Sequence, residues 1–183
     1  SDRIGAETYW PWGISVGDLN ADGYQDVFVT SSMNFPWRYH PNHVLLNDAG
    51  KRFVLSEFVL GVEPRRGGRT SVPWHQLDAD GRDADHDFCE DRTGVFTMYG
   101  ALGSRSSVIL DLDGDGDLDI VTNDFNTEPL VLVSDLSERT TVRYVQVRLR
   151  GVDSNRDGLG ARVTVHAGGK QYVQVHDGQS GYL

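Results

Sequence analysis

Two stretches of the chain place oxygen-bearing side chains at every second position. The first reads Asp18-Leu-Asn20-Ala-Asp22-Gly-Tyr24-Gln-Asp26, and the second Asp111-Leu-Asp113-Gly-Asp115-Gly-Asp117-Leu-Asp119. Both follow the pattern D-x-[DN]-x-[DN]-G-x-x-D. Ligands at alternate positions let one tight turn wrap a single hard cation, and Gly at the sixth position permits the sharp reversal. The seventh residue, Tyr24 or Asp117, is expected to add its backbone carbonyl. The ninth, Asp26 or Asp119, closes the shell with a carboxylate. Two Ca²⁺ sites are predicted, calcium being favoured over magnesium because flexible loops with six or more oxygens suit the larger ion. The first loop carries three carboxylates and Asn20, so weaker affinity is expected there.

Acidic turns without a metal are the competing reading, and charge repulsion weighs against it. The second loop holds five Asp within nine residues. Each like-charge pair near 4 Å costs about 1 kcal/mol in water and ~4 kcal/mol at an effective dielectric of 20. A divalent cation removes that cost. An EF-hand would need Glu at the twelfth position, where this chain has Val29 or Thr122 inside a β-branched run, so the loops are read as lying between strands. A third acidic cluster, Asp78 to Asp87, lacks the alternating spacing and reads as a solvated turn.

The elements that must hold these loops are strands. Gly13–Val16 leads into the first loop, followed by Asp26–Thr30, His43–Asn47, a turn at Asp48–Lys51 and Arg52–Leu55. The order recurs as Ser107–Leu110, the second loop, Asp119–Thr122 and Pro129–Val133. Their short continuous apolar runs predict strands covered on both faces. A propeller blade takes about 40–50 residues, so the interval between the loops holds either one blade with a long insertion or two blades, one without an acidic loop. Residues 61–103 are read as an ordered insertion anchored by Trp74, Phe88, Phe96 and Tyr99. From Thr141 the pattern changes to alternation, predicting a strand over Val142–Arg150 and a hairpin over Ala161–His176 with a Gly168-Gly169 turn. A boundary is expected near Leu136–Thr140, giving blades over 1–138 and a small β-domain over 139–183.

Composition bounds the function. The net charge is −10 over 183 residues, and Asp supplies 21 of the 27 acidic residues. Asp favours turns and cation ligation, whereas Glu favours solvated helix faces. No basic stripe offsets phosphate repulsion, which excludes nucleic acid as a partner. No apolar run approaches the ~18 residues of a membrane span. The single cysteine, Cys89, excludes an internal disulfide and reads as a buried free thiol. The first residue is Ser and the last two are Tyr182-Leu183, so the chain is read as a segment of something longer.

The loop-and-strand units resemble FG-GAP/VCBS repeats, the calcium-bearing blades also found in integrin α-subunit propellers. Ser154-Asn155-Arg156-Asp157-Gly158-Leu159-Gly160-Ala161-Arg162-Val163 and Asp177-Gly178-Gln179-Ser180-Gly181-Tyr182-Leu183 resemble the ASPIC/UnbV domain, which follows such repeats in cartilage acidic protein and many bacterial secreted proteins. The resemblance implies an all-β chain: blades of an integrin-α-like β-propeller, then a small, incomplete β-domain. It implies an extracellular, cell-surface or periplasmic location and calcium ligation by the loop residues named above. It supplies no catalytic residue. The function expected is a calcium-binding scaffold or adhesion module whose partner is a protein, a glycan or further blades of its parent. The alternative is a calcium-stabilised propeller enzyme acting on polysaccharide or another extracellular substrate, for which His75, Asp85, His86 and Cys89 are candidates. Turn chemistry accounts for Asn155-Arg156-Asp157-Gly158 as well as ligand binding does.

Overall fold

A computed structural model describes residues 10–33 and 38–178. The chain is almost all β, as the sequence predicts, with four separate antiparallel sheets that do not close. Strands β1 (Pro11–Gly17), β2 (Asp26–Ser31), β3 (His43–Asp48) and β4 (Arg52–Leu55) form a four-stranded meander in sequential order, the arrangement of one blade. A second blade-like sheet contains β7 (Gly103–Leu110), β8 (Asp119–Phe125) and the short β9 (Val131–Leu132). Between them lies a hairpin of β5 (Ser71–Asp78) and β6 (Val95–Ala101), and beyond them a hairpin of β10 (Arg162–Ala167) and β11 (Lys170–Val175). A single helical turn, α1 (Leu136–Arg139), occupies the stretch where the patterning changes from continuous to alternating.

The two blade sheets face each other through β1 and β7. Gly13, Ser15 and Gly17 are buried on that side of β1. Small residues are needed because the backbones approach closely: a Cβ on Gly13 would stand 2.8 Å from the Arg105 carbonyl oxygen. The Ser15 hydroxyl lies 2.8 Å from both the carbonyl and the hydroxyl of Ser107, and the Thr30 hydroxyl donates to the Arg105 carbonyl at 3.1 Å. Phe28, Val44, Val62 and Ile120 build the apolar core nearer the loops, with Leu19, Leu46, Ile109 and Leu132 against it. Burying such side chains contributes about 1.5–3 kcal/mol each. Arg105 spans the seam, its guanidinium 4.2 Å from the Trp12 ring centroid and 4.6 Å from that of Phe125.

Three local expectations are corrected. Coverage on both faces holds for β2 but not for β1, whose outer face leaves Ile14 and Val16 more than half exposed, no sheet among the described residues lying against it. Val142–Arg150, expected as a strand, joins no ladder. It borders a cleft of about 820 Å³ in which Val145 and Val147 line the space together with Val163, Val165 and Tyr172 of the last hairpin. Alternation alone does not make a strand; a ladder also requires a neighbour within about 4.7–4.9 Å. Residues 71–101, to which the sequence pattern assigned no strands, pair as β5 and β6 around a second small core of Leu77, Cys89 and Met98. Of the four aromatic anchors expected there, Phe88 and Phe96 pack against this core, whereas Trp74 and Tyr99 stay largely exposed.

Candidate metal centres

Both acidic loops connect the first two strands of a blade sheet, β1 to β2 and β7 to β8. In each, the ninth residue opens the second strand and is buried: Asp26 is 0% exposed and Asp119 1%. Burial of a carboxylate demands partners, and both find equivalent ones. Asp26 accepts the backbone N–H of Leu19 and of Asn47, each at 2.8 Å. Asp119 accepts that of Leu112 at 2.7 Å and of Ser134 at 2.8 Å. Each therefore ties its loop to the third strand of its sheet, at Asn47 within β3 and at Ser134 just beyond β9. The sequence assigned these residues a ligand role; the geometry adds this brace, which uses both oxygens of each carboxylate.

In the second loop Asp111, Asp113 and Asp115 converge, each offering a carboxylate oxygen within 4.8 Å of the others. Their backbones are wound so that Gly114 N–H donates to Asp111 at 2.8 Å, Asp115 N–H to Asp113 at 3.3 Å and Asp117 N–H to Asp115 at 3.1 Å. Partial loss of water and then the charge of Asp115 raise the Asp113 carboxyl above its ordinary value. Asp115 is held below it, first by the Ser137 hydroxyl. Asp117, expected to offer only its carbonyl, has a buried side chain: the residue is 3% exposed, one carboxylate oxygen accepts Ser137 N–H at 2.8 Å, and the other has no hydrogen-bond partner among the described residues. Position seven of the pattern gave no sign of that burial.

The first loop is wound similarly. Asp18 accepts Asp22 N–H at 3.0 Å and Gly23 N–H at 2.8 Å, and Asp22 accepts Tyr24 N–H at 2.8 Å. Asn20 accepts Asp22 N–H at 3.2 Å and donates its amide to the Asp22 carboxylate at 3.1 Å. Burial raises the carboxyls of Asp18 and Asp26, with the charge of Asp22 adding to both. Among the described residues its acidic side chains do not form a group as tight as that of the second loop.

Ser134 and Ser137, which hold the second loop from outside, were not singled out by the sequence. Their partners lie 15 and 20 residues upstream, a pairing set by where the chain returns after β9.

The candidates for catalysis are dispersed. His75 lies on β5 opposite Met98, with Trp74 edge-on at 4.6 Å. His86 and Asp85 are exposed on the turn, where the His86 ring accepts Phe88 N–H at 3.2 Å. Among the described residues no hydrogen bond joins His75, Asp85 and His86. Cys89 is free and buried, and burial pushes its thiol upward. The third acidic cluster forms a turn in which Asp83 accepts Asp78 N–H and Asp80 accepts Gly94 N–H, both at 2.8 Å. Asn155 closes its own turn on both backbone groups of Leu159, at 2.6 and 3.0 Å. Gln179–Leu183, the end of the second C-terminal motif, lie outside the described residues.

Comparison with known families finds two matches in the order expected. Residues 10–55 match the FG-GAP repeat and residues 151–183 match ASPIC and UnbV. The FG-GAP match spans β1 to β4 and the whole first loop. No curated protein and no solved structure matches the chain.

Proposed function

We propose, from an FG-GAP repeat that leads through a second acidic loop into an ASPIC/UnbV domain, that this chain is a calcium-clamped segment of an extracellular interaction scaffold. The observation that carries the reading is the convergence of Asp111, Asp113 and Asp115 in a loop between two paired strands. The raised Asp113 carboxyl and the unpartnered Asp117 oxygen support it, since both mark negative charge that the protein alone leaves uncompensated. FG-GAP repeats are typically extracellular, where calcium keeps sites of ~10⁻⁴–10⁻³ M affinity filled. Among the described residues no helix is long and apolar enough to cross a membrane.

The residues divide the work. Asp111, Asp113 and Asp115 would hold the ion at the second loop, and Asp18, Asn20 and Asp22 at the first. Asp26 and Asp119 brace each loop against its sheet. Bound Ca²⁺ supplies positive charge that relieves carboxylate repulsion and pins the strand connection. Binding to the folded state alone would stabilise the chain by ~2.7 kcal/mol at free calcium 100-fold above Kd.

Isothermal titration and thermal melting in calcium or chelator test the reading. The expected result is saturable uptake and a higher Tm in calcium. Replacing Asp113 and Asp115 together with Asn should abolish uptake at the second loop while leaving the first. A flat titration of the wild-type chain, with a Tm indifferent to chelator, rejects the proposal.

A further inference from the structure

The sixth position of each loop carries the same foreign contact. A Cβ on Gly23 would stand 2.8 Å from Cε1 and 3.5 Å from Cζ of Tyr172, which lies on β11. A Cβ on Gly116 would overlap the ring edge of Tyr144 and stand 3.1 Å from its Cζ. Both glycines have positive φ, 91° and 95°, so the turn and the ring make the same demand for a missing side chain. Tyr172 and Tyr144 belong to the C-terminal β-unit but to different parts of it, the hairpin and the stretch before it that joins no ladder. One unit thus places an aromatic ring on each acidic loop.

Polar contacts reinforce both. Lys170 Nζ lies 5.3 Å from the ring centroid of Tyr24, the seventh residue of the first loop. At the second loop, Ser137 donates its N–H to Asp117 and its hydroxyl meets the Asp115 carboxylate, fixing the point where the C-terminal unit leaves the blade. Outer partners of this kind orient ligand carboxylates.

We infer that the two acidic loops form the docking face of the C-terminal unit, and that calcium occupancy and docking are coupled. The inference rests on the calcium reading above. A ring can lie on a glycine backbone only while the loop holds the wound shape that also converges its oxygens. Filling the loop therefore favours the seated tyrosine, and seating the tyrosine favours the ligand-ready loop. Linkage requires the two effects to be equal in size.

The test replaces Tyr144 and Tyr172 in the full chain. Their exposures of 54% and 38% place both outside the core. In Y144A/Y172A, calcium affinity by isothermal titration should fall about 5-fold or more, the lower range of measured site-to-site coupling. Y144F/Y172F, which keeps the rings, should retain wild-type affinity. In the wild type, calcium should slow tryptic cleavage at Arg139, Arg143, Arg148 and Arg150; this protection should vanish in the alanine variant. Equal affinity in all three proteins, or cleavage indifferent to calcium in the wild type, overturns the coupling and leaves the calcium sites standing. Absence of calcium uptake in the wild type overturns the calcium reading itself, and the coupling with it. Should the alanine variant fold poorly, the wild-type protection assay decides alone.

Discussion

Arg65 places its guanidinium on Asp124 with both side chains almost wholly buried, at 4% and 0% exposure. Around them runs a polar network joining the first sheet, the segment that follows it and the second sheet. Ser104 hydroxyl donates to Asp124 at 2.7 Å and receives Asn42 amide at 2.8 Å and Arg65 at 3.1 Å. Glu63 accepts Asn42 N–H at 3.0 Å and Tyr39 hydroxyl at 2.6 Å. Removing one member of a buried ion pair leaves the other charge uncompensated, at a cost of about 3–5 kcal/mol. Arg65→Ala is therefore expected to lose stability of that order in a urea melt, whereas exchanging both partners for apolar residues of similar volume should cost far less. Nothing in the sequence joined Arg65 to Asp124, because the partners lie 59 residues apart and neither sits in a motif. The loop carboxylates, by contrast, were legible: ligand spacing is local, and local geometry follows from it.

At the scale of elements, legibility depended on how many signals agreed. β2, β3 and β4 could be read almost residue for residue, since apolar runs, β-branched residues and a turn at Asp48–Lys51 point the same way. β5 could not, because Pro73 interrupts it and a shift of register follows at His75; proline within a run argues against a strand. Val142–Arg150 failed in the opposite sense, having the pattern without a partner. The seam between β1 and β7 was also hidden, since glycine and serine read as turn formers rather than as an interface. That seam has a sharp steric limit. Gly13→Val would drive its side chain into the Arg105 carbonyl and the Thr30 hydroxyl, 2.8 and 3.1 Å from the new Cβ. Overpacking of this kind costs about 1–3 kcal/mol, so calorimetry should show a lower Tm with the Phe28 core still cooperative.

For the whole molecule, the proposed calcium sites imply a dependence of metal uptake on pH. In the metal-free chain the carboxyls of Asp18, Asp26 and Asp113 are raised, chiefly by desolvation. A raised folded value favours the protonated form, so their contribution to stability is fully present below the ordinary 3.8 and is lost as pH rises through the raised values. Asp115, held down by Ser137, does the reverse: its contribution is present above 3.8 and is lost as pH falls through the depressed value. Ligation of a cation needs the ionised form of these carboxyls. Calcium affinity should therefore rise with pH across the carboxylate range, by about tenfold per unit for each proton displaced. Titrations at pH 4.5 and 7 check this; equal affinities would contradict it.

The hairpin between the two blade sheets shuts one thiol inside a pocket of its own, Cys89 at 5% exposure among Leu77 and Met98. A thiol reagent can reach it only when that lobe opens, and such openings occur locally at less than the global free energy. Residue 89 is thus a stopwatch wired to a single lobe: its labelling rate counts the openings of residues 71–101.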